Sequence, residues 1–315
     1  MITTLTPSPS IDFDYEVGAL KIGGVNRAHE FNFHAGGKGL NVARVLTLMK
    51  VNAVAIVPMA KSQSNLFINS AESENIKLDI ISIESQLRFN ISLLHDGLTT
   101  KINAASAPWS DAEAQKVANR FKTRARRSQF AVIGGSLPAG LKTDWLPRVV
   151  AENVHRTKVV VDSSGETLRS AIASKPFLIK PNEDEASEII GSMITTLSEA
   201  LQACRELHFL GAQNVLLSLG DKGCLFFNGK DFWRARSNKF VAVNTVGAGD
   251  ALLAGFIGRY KSGVETALAT GVAWAEAAIK SRGTSISLPP SAISTDVVSR
   301  LTANRLDSFE DELTN

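Results

Sequence analysis

The sequence predicts an α/β fold in which helices cover both faces of a mainly parallel sheet. Continuous apolar runs alternate along the chain with segments of helical periodicity, and two other stretches alternate apolar with polar residues. A continuous apolar run is typical of a strand buried on both faces, whereas strict alternation is typical of a strand with one face in water. Strand and helix alternating over most of the 315 residues favour a doubly wound sheet, with ligands at the carboxyl ends of its strands.

Short runs rich in Val, Ile, Leu and Phe are the predicted buried strands. They are residues 53–58, 130–134, 158–162, 177–180 and 214–218. Ser110 and Thr196 are each followed three residues later by Glu, a capping box that predicts the start of a helix. The last 25 residues are rich in Ser, Thr, Asp and Glu and are predicted to form one weak helix and a loose tail.

Two alternating stretches, residues 31–34 and 89–93, predict a small sheet with one wet face. We expect segments 12–35 and 87–105 to pair into a β lid over the edge of the large sheet. The α/β core then consists of residues 1–11, 36–86 and 106–315. Apolar residues on the lid strands are compatible with a homodimer formed through the lid and equally with a monomer.

Composition and charge exclude several classes of partner. The net charge of +3 arises from 34 basic and 31 acidic residues, which is too even to indicate a nucleic-acid or membrane partner. The amino terminus does not resemble a leader peptide, and no apolar stretch approaches the roughly 18 residues that span a membrane. We therefore expect a cytoplasmic protein that binds a small molecule.

The most specific motif is residues 244–256, which combine a glycine turn with the start of an apolar helix. Gly247, Ala248 and Gly249 allow close approach to an anion, and free N–H groups at a helix amino terminus point towards it. Asp250 would repel a bound phosphate unless it abstracts a proton from an attacking hydroxyl. The alternative is that Asp250 merely complements the helix dipole.

A second glycine turn, at residues 35–43, also opens a helix. Lys38 supplies a point charge for phosphate, and Asn41 can both donate hydrogen bonds to sugar hydroxyls and accept them. The spacing is not that of a Walker motif, so this turn alone does not identify a nucleotide site.

The two turns, in this order, resemble those of the ribokinase or phosphofructokinase B (PfkB) family of sugar kinases. Further matching segments are residues 6–12, Gly134-Gly135-Ser136-Leu137-Pro138, Lys180-Pro181-Asn182-x-x-Glu185 and Ser218-Leu219-Gly220-x-x-Gly223. The resemblance covers almost the whole chain and implies a ribokinase-like three-layer α/β/α sandwich with a small β-sheet lid. It also implies an ATP-dependent carbohydrate kinase.

The resemblance implies a role for each matching residue. Asp250 is the expected base, with Gly247, Ala248 and Gly249 as the anion hole. The expected sugar-binding residues are Asp12, Gly37, Lys38, Asn41, Arg88, Asn90, Lys101 and Ser136. The expected ATP-binding residues are Lys180, Asn182, Ser218, Gly220, Gly223 and Thr245. Glu185 and Asn182 are expected to organise Mg²⁺, mainly through water, although this pair is also a capping box.

The acceptor is expected to be a ketohexose phosphate. The early segment and Arg88 at the start of a lid strand resemble the 1-phosphofructokinase and tagatose-6-phosphate kinase branch. Arg88 can bind a phosphate through its fork, while Lys38 and Lys101 add point charges. Fructose 1-phosphate is the first candidate. The alternatives are tagatose 6-phosphate, fructose 6-phosphate, and a neutral sugar or nucleoside.

Two departures from the family pattern concern the substrate pocket. Residues 59–62 replace glycines that many members carry, and residues 103–106 replace a Glu-Pro-Gly sequence after the lid asparagine. These changes leave open a non-catalytic sugar-phosphate sensor as a function of another class. Neither change affects the predicted anion hole or base.

Overall fold

The computed structural model describes residues 1–237, 247–281, 286 and 293–301. Within them, the larger sheet has ten strands: β1 (Ile2–Leu5), β4 (Ala53–Met59), β5 (Leu78–Ser82), β8 (Phe130–Gly134), β9 (Lys158–Asp162), β10 (Leu178–Ile179), β11 (Val215–Ser218), β12 (Cys224–Phe227), β13 (Phe232–Ala235) and β14 (Val298–Leu301). The smaller sheet has four: β2 (Ser10–Glu16), β3 (Glu30–Gly36), β6 (Arg88–His95) and β7 (Leu98–Ile102).

The larger sheet is mainly parallel, as the continuous apolar runs predict. Its strand order is β14-β13-β12-β11-β10-β9-β8-β1-β4-β5, and only the pairings from β11 to β14 are antiparallel. The smaller sheet has the order β3-β2-β6-β7. Because the parallel strands run the same way, their carboxyl ends meet at one edge, which is where ligands gather in such folds.

Helices cover both faces of the larger sheet and give three layers. They are α1 (Lys38–Leu48), α2 (Ser64–Ser73), α3 (Asp111–Ala125), α4 (Trp145–Ala151), α5 (Gly165–Ile172), α6 (Glu183–Ile190), α7 (Leu197–Phe209), α8 (Ala248–Arg259) and α9 (Val264–Lys280). One apolar core lies between the sheet and α3 to α7, and a second lies between the sheet and α1, α8 and α9. The three-layer prediction is therefore confirmed.

Close backbone contacts bring the start of α1 to the edge where ligands gather. A Cβ atom on Gly39 would lie 2.5 Å from the carbonyl oxygen of Leu5, and one on Gly134 would lie 2.8 Å from the amide nitrogen of Gly39. A real Cβ atom does not approach so closely, so glycine is needed at both positions for α1 to pack against the ends of β1 and β8. This packing carries Lys38 and Asn41 to the edge of the sheet.

A strand at residues 298–301, within the segment predicted to hold one weak helix and a loose tail, was not predicted from the sequence. These residues form β14, which pairs antiparallel with β13 and covers its outer edge. Leu301 is buried against the core there. Pairing with an existing strand satisfies backbone groups that the local sequence alone would leave to water. Among the described residues, no helix combines the length and apolar character needed to cross a bilayer.

Candidate active site

A cleft of about 1090 Å³ separates the carboxyl ends of the parallel strands from the smaller sheet. Most of the predicted site residues meet there, although they come from distant parts of the chain. Those that line the cleft are Asp12, Gly37, Lys38, Asn41, Arg88, Asn90, Lys101, Lys180, Asn182, Glu185, Ser218, Gly247, Gly249 and Asp250.

The remaining predicted site residues lie elsewhere. Ala248 begins α8 and Ser136 is exposed, but neither is among the described residues that line this cleft. Gly220 and Gly223 flank the short turn after β11 with φ angles of 59° and 96°, which favour glycine. Thr245 lies outside the described residues.

Asp250 occupies the first turn of α8. Gly247, with a φ angle of 79°, caps this helix at its amino end and turns the chain into it. Only 6% of Asp250 is exposed, and its Oδ2 accepts a hydrogen bond of 2.7 Å from Nδ2 of Asn41. A Cβ atom on Gly249 would lie 3.0 Å from Nζ of Lys180. The glycine therefore leaves the free amides at the helix start open beside a cation.

Burial is the main reason that the pKa of Asp250 rises to about 6, and the nearby carboxylate of Asp162 adds to it. Lys38, the hydrogen bond from Asn41 and Lys180 act in the opposite direction. A carboxylate with this pKa is mainly ionised at pH 7 and is more basic than an exposed aspartate. These are the properties of a general base that works near neutral pH.

Two lysines converge on the buried side chain of Asp162, at the end of β9. Nζ of Lys38 lies 2.9 Å and Nζ of Lys180 lies 3.4 Å from Oδ1 of Asp162. Burial alone would raise the pKa of Asp162, but the two ammonium groups outweigh burial and lower it. Burial alone would likewise lower the pKa of Lys38, but Asp162, Asp250 and Glu185 raise it well above its ordinary value. The ion pairs with Asp162 therefore hold both lysine side chains beside the start of α8.

Asp12 is the centre of the polar surface under the smaller sheet. Its Oδ1 accepts hydrogen bonds of 2.7 Å from both Ser10 and Asn90, and its Oδ2 lies 3.8 Å from Nε2 of His34. Burial lowers the pKa of His34, although the neighbouring Asp12 raises it. Asp12 and Asn90 thus present oriented polar groups of the kind that hold sugar hydroxyls.

Arg88 and Lys101 are cations at this end of the cleft. Arg88 donates to the carbonyl oxygen of Ser8 at 3.3 Å, and its buried Nε has no hydrogen-bond partner among the described residues. Burial lowers the pKa of Arg88, although the nearby carboxylate of Asp12 raises it. Lys101 on β7 is exposed at the rim. A half-buried guanidinium with an unused donor can bind an anionic ligand.

Asn182 and Glu185 open α6 at the other end of the cleft. Oδ1 of Asn182 accepts from the amide of Glu185 at 2.7 Å, and the Glu185 carboxylate accepts from the amide of Asn182 at 3.0 Å. The capping-box interpretation is confirmed. Oε1 of Glu185 is 3.7 Å from Nζ of Lys38, so the capping carboxylate also contributes negative charge to the cleft.

The sequence interpretation missed Asp162 and Arg44. Asp162 ends a run of three valines, so an acidic residue at the carboxyl end of a buried parallel strand is the signal that could have identified it. Arg44 is buried and donates to Oδ1 of Asn41. It lies three residues after Asn41 on α1 and hence on the same face of the helix.

The comparisons agree with this geometry. The sequence profile described as "pfkB family carbohydrate kinase" matches residues 8–291. The chain is 34% identical to the 1-phosphofructokinase of Borreliella burgdorferi over 84% of this chain and 86% of that protein. It is 32% identical to the 1-phosphofructokinase of Bacillus subtilis, over 82% and 84% of the two chains.

A solved structure shares the fold. Phosphofructokinase-2 from Escherichia coli, in complex with fructose-6-phosphate, superimposes with a TM-score of 0.81 and 25% identity. The similarity covers 88% of this chain and 93% of that one.

Proposed function

This chain belongs to the pfkB family of carbohydrate kinases, and we propose that it phosphorylates a ketohexose phosphate, with fructose 1-phosphate as its preferred acceptor. Membership of the family implies ATP as the phosphate donor. The observation that carries the proposed chemistry is Asp250, a buried carboxylate with a pKa of about 6 at the start of α8. A cytoplasmic location fits an enzyme that consumes ATP.

Asp250 accepts the proton of the sugar hydroxyl as the hydroxyl oxygen bonds to the γ-phosphorus of ATP; the bond from that phosphorus to the β,γ-bridging oxygen breaks, and ADP leaves. The backbone amides at Gly247, Ala248 and Gly249 then face the oxygens of the transferring group, where the helix dipole favours negative charge. In phosphoryl transfer the protein takes little part in covalent chemistry, because positioning of the reactants and stabilisation of the transition-state charge account for most of the rate acceleration.

Lys38 and Lys180 add two positive charges beside this anion hole. Asp162 holds both ammonium groups, so they need little reorganisation when charge develops on the transferring group. We assign Ser218, Gly220, Gly223 and Thr245 to the nucleotide because these positions match the family motif. The smaller sheet, as a lid formed by segments 12–35 and 87–105, would close over the sugar and exclude water.

Arg88 supports a phosphorylated rather than a neutral acceptor. Its half-buried guanidinium lines the cleft beside the hydrogen-bonded pair of Asp12 and Asn90. Its buried Nε donor is costly to leave unused unless a ligand satisfies it, and phosphate is a suitable partner. The two relatives with the activity of 1-phosphofructokinase make fructose 1-phosphate the first choice.

A second candidate acceptor is fructose 6-phosphate. The structural neighbour from Escherichia coli is in complex with that sugar. Both sugars carry one phosphate and yield the same bisphosphate, so the position of the phosphate relative to Asp250 decides between them.

The residues at the start of α6 fit a magnesium ion held mainly through water. Glu185 and Asn182 supply the oxygen donors that Mg²⁺ prefers. The described part of the chain contains no group of three or more His, Cys, Asp or Glu side chains that could hold a metal. When bound, Mg²⁺ would neutralise charge on the ATP phosphates.

The outer face of the smaller sheet supports a homodimer. Phe13, Tyr15, Phe31, Phe33 and Phe89 form a continuous aromatic cluster, with neighbouring ring centroids 5.0–6.4 Å apart. Phe31, Phe33 and Phe89 are each more than 40% exposed. Contiguous exposed aromatic surface is typical of a protein interface. Light scattering after gel filtration, with Phe31→Asp as the variant, tests this assignment, because Phe31 is 48% exposed and does not line the cleft.

The test of the function is ADP release by the purified protein with Mg-ATP and a panel of acceptors. The panel contains fructose 1-phosphate, fructose 6-phosphate, tagatose 6-phosphate, ribose and adenosine, and Asp250→Asn controls for contaminating kinases. We expect the highest kcat/KM with fructose 1-phosphate. Turnover of neutral acceptors alone would contradict the role of Arg88.

If no acceptor causes ADP release but calorimetry shows that a sugar phosphate binds, the non-catalytic sensor would be favoured. The retained base and glycine turn argue against that outcome, because a sensor has no use for a buried carboxylate beside a phosphate site.

A further inference from the structure

A partly buried series of hydrogen bonds connects the end of α2 with the proposed base. Glu74, which follows α2, pairs with Arg44, Arg44 donates to Asn41, and Asn41 donates to Asp250. We propose that Arg44, held by Glu74, is a positioning residue that fixes the orientation of the Asn41 amide and so directs one oxygen of Asp250 towards the acceptor hydroxyl. The inference rests on the proposed role of Asp250 as the base.

Arg44 is held on three sides. It is 2% exposed, its NH2 donates to the carbonyl oxygen of Ala35 at 2.6 Å and to Oε1 of Glu74 at 3.1 Å, and its Nε pairs with Oε2 of Glu74. Its NH1 is left for Oδ1 of Asn41. A guanidinium held in this way cannot follow Asn41 if the amide rotates.

The hydrogen-bonding groups of the two neighbours determine the orientation of the amide. Arg44 carries only donors, and the ionised carboxylate of Asp250 offers only acceptors. The amide oxygen must therefore face Arg44 and the amide nitrogen must face Asp250. Rotation of the amide by 180° would place its nitrogen against the Arg44 donor and its oxygen against the Asp250 carboxylate. Both hydrogen bonds would then be lost together.

This arrangement divides the work of the Asp250 carboxylate between its oxygens. Oδ2 receives the hydrogen bond from Asn41, which leaves Oδ1 for the proton of the sugar hydroxyl. The other charged groups around Asp250 are Asp162, Lys38 and Lys180. Because the bond from Asn41 lowers the pKa of Asp250 against burial, its loss should make the base harder to ionise.

The charges around Arg44 are balanced locally. Glu74 pairs with it directly, and His34, whose charged form Arg44 disfavours, lies on the adjacent strand β3. The contact with Asn41 is therefore the route by which we expect a substitution of Arg44 to affect Asp250.

The test is a double-mutant cycle read through the pH dependence of kcat. Arg44→Met should move the acid limb of the profile about one pH unit higher, which corresponds to the loss of a hydrogen bond to a charged group. In an Asn41→Ala background, Arg44→Met should move the acid limb little further, because the amide that connects Arg44 with Asp250 is already absent. Ionisation of the substrate phosphate is common to all variants and cancels in the comparison.

Three further variants separate positioning from general damage. Arg44→Lys keeps a charge and a donor, so its acid limb should lie closer to that of the unaltered chain than the acid limb of Arg44→Met does. Glu74→Gln loosens Arg44 and should move the acid limb in the same direction as Arg44→Met, but by less. Glu74→Gln also keeps the test open if Arg44→Met does not fold. Arg124→Met is the matched control, because Arg124 pairs with the buried Asp79 far from the cleft. It should leave the pH profile unchanged.

Infrared titration of the unliganded protein gives a readout that needs no activity. The protonated carboxyl band that is absent in Asp250→Asn should titrate at higher pH in Arg44→Met than in the unaltered chain. Coincident titrations, with an unchanged acid limb, would overturn the inference and leave the kinase assignment intact. A shifted titration in a protein that phosphorylates no acceptor would support the positioning and overturn the proposed function.

Discussion

The two ends of the cleft are built in different ways. At the start of α8, every charged side chain is tied to another: Asp250 to Asn41, and Asp162 to Lys38 and Lys180. Under the smaller sheet, the buried Nε of Arg88 and Nε2 of His34 have no hydrogen-bond partner among the described residues. In the first region the charged groups are paired without a ligand, although the buried Oδ2 of Asp162 has no hydrogen-bond partner in the described part of the chain, whereas the second region leaves a cationic side chain with an unused donor.

This difference suggests how the work is divided. Groups that stabilise a transition state perform best when they are already in place, because reorganisation then costs little. Groups that select a substrate can remain unpaired until the ligand arrives, since a ligand that lacks the matching atoms then leaves them unpaired. We therefore expect substitutions at α8 to affect turnover and substitutions under the small sheet to affect the choice of acceptor.

The largest effect should follow from Asp250→Asn. If Asp250 is the base, kcat should fall by about 10²- to 10⁴-fold while the KM for the sugar changes little. Steady-state kinetics with saturating Mg-ATP measure both. A folded variant with near-normal kcat would show that proton abstraction does not depend on this carboxylate.

The same variant should be more stable than the unaltered chain at pH 7. The folded pKa of Asp250, about 6, lies above its unfolded value of about 4, so ionisation of the buried group costs stability at neutral pH; the cost declines as the pH falls below 6 and is gone only below about 4. Urea unfolding at pH 7 and pH 5 tests this: the stabilising effect of Asn should be larger at pH 7.

Asp162→Asn should have the next largest effect, this time on stability. The substitution leaves two ammonium groups beside each other without their shared counter-ion, which should lower the free energy of unfolding by about 3–5 kcal/mol. Because the folded pKa of Asp162 is lowered, its contribution is present above the unfolded pKa of about 4 and is lost as the pH falls through the still lower folded value.

Chemical denaturation between pH 3 and pH 7 measures this contribution. Asp231→Asn is a suitable control, because Asp231 pairs with the exposed Arg300 on the outermost strand, β14, rather than with a residue of the cleft. Equal stabilities of Asp162→Asn and the control would show that the two lysines do not depend on Asp162.

Arg88→Ala should raise the KM for a phosphosugar by about 10- to 100-fold, on the scale of a charge-assisted hydrogen bond. Arg88→Ala should barely change kcat. It should also leave almost unchanged the KM for a neutral acceptor, if the enzyme phosphorylates one slowly. Arg88→Lys, which keeps the charge but not the fork, should recover only part of the loss. Equal losses for charged and neutral acceptors would remove Arg88 from phosphate recognition.

The parts of the fold that follow from local pattern were predictable. The runs at residues 130–134 and 158–162 match β8 and β9, and the capping boxes at Ser110 and Thr196 begin α3 and α7. The strand β1 was missed because two of its four residues are threonines, and only its pairing with β4 and β8 makes it a buried central strand. β14 was not predicted because its partner, β13, is distant in sequence.

The site divides in the same way. Asp250, Lys38 and Asn41 were predictable because each lies in a glycine turn that opens a helix. The bonds from Asn41 to Asp250 and from Arg44 to Asn41 were not, because the first joins residues far apart in the chain and the second depends on which way an amide points. Sequence motifs thus indicated which polar groups line the cleft, and tertiary packing determined what holds them.

The smallest effect should come from Lys101→Ala. Lys101 is exposed on β7 at the rim of the cleft, where solvent and salt screen its charge. We expect the KM for a phosphosugar to rise less than about fivefold, and the rise should vanish at high ionic strength. Measuring KM at low and high salt for Lys101→Ala and Arg88→Ala tests this directly, because the Arg88 effect should largely survive added salt. A large, salt-resistant effect at Lys101 would mean that closure of the small sheet buries this lysine on the substrate, and the rim would then belong to the recognition site.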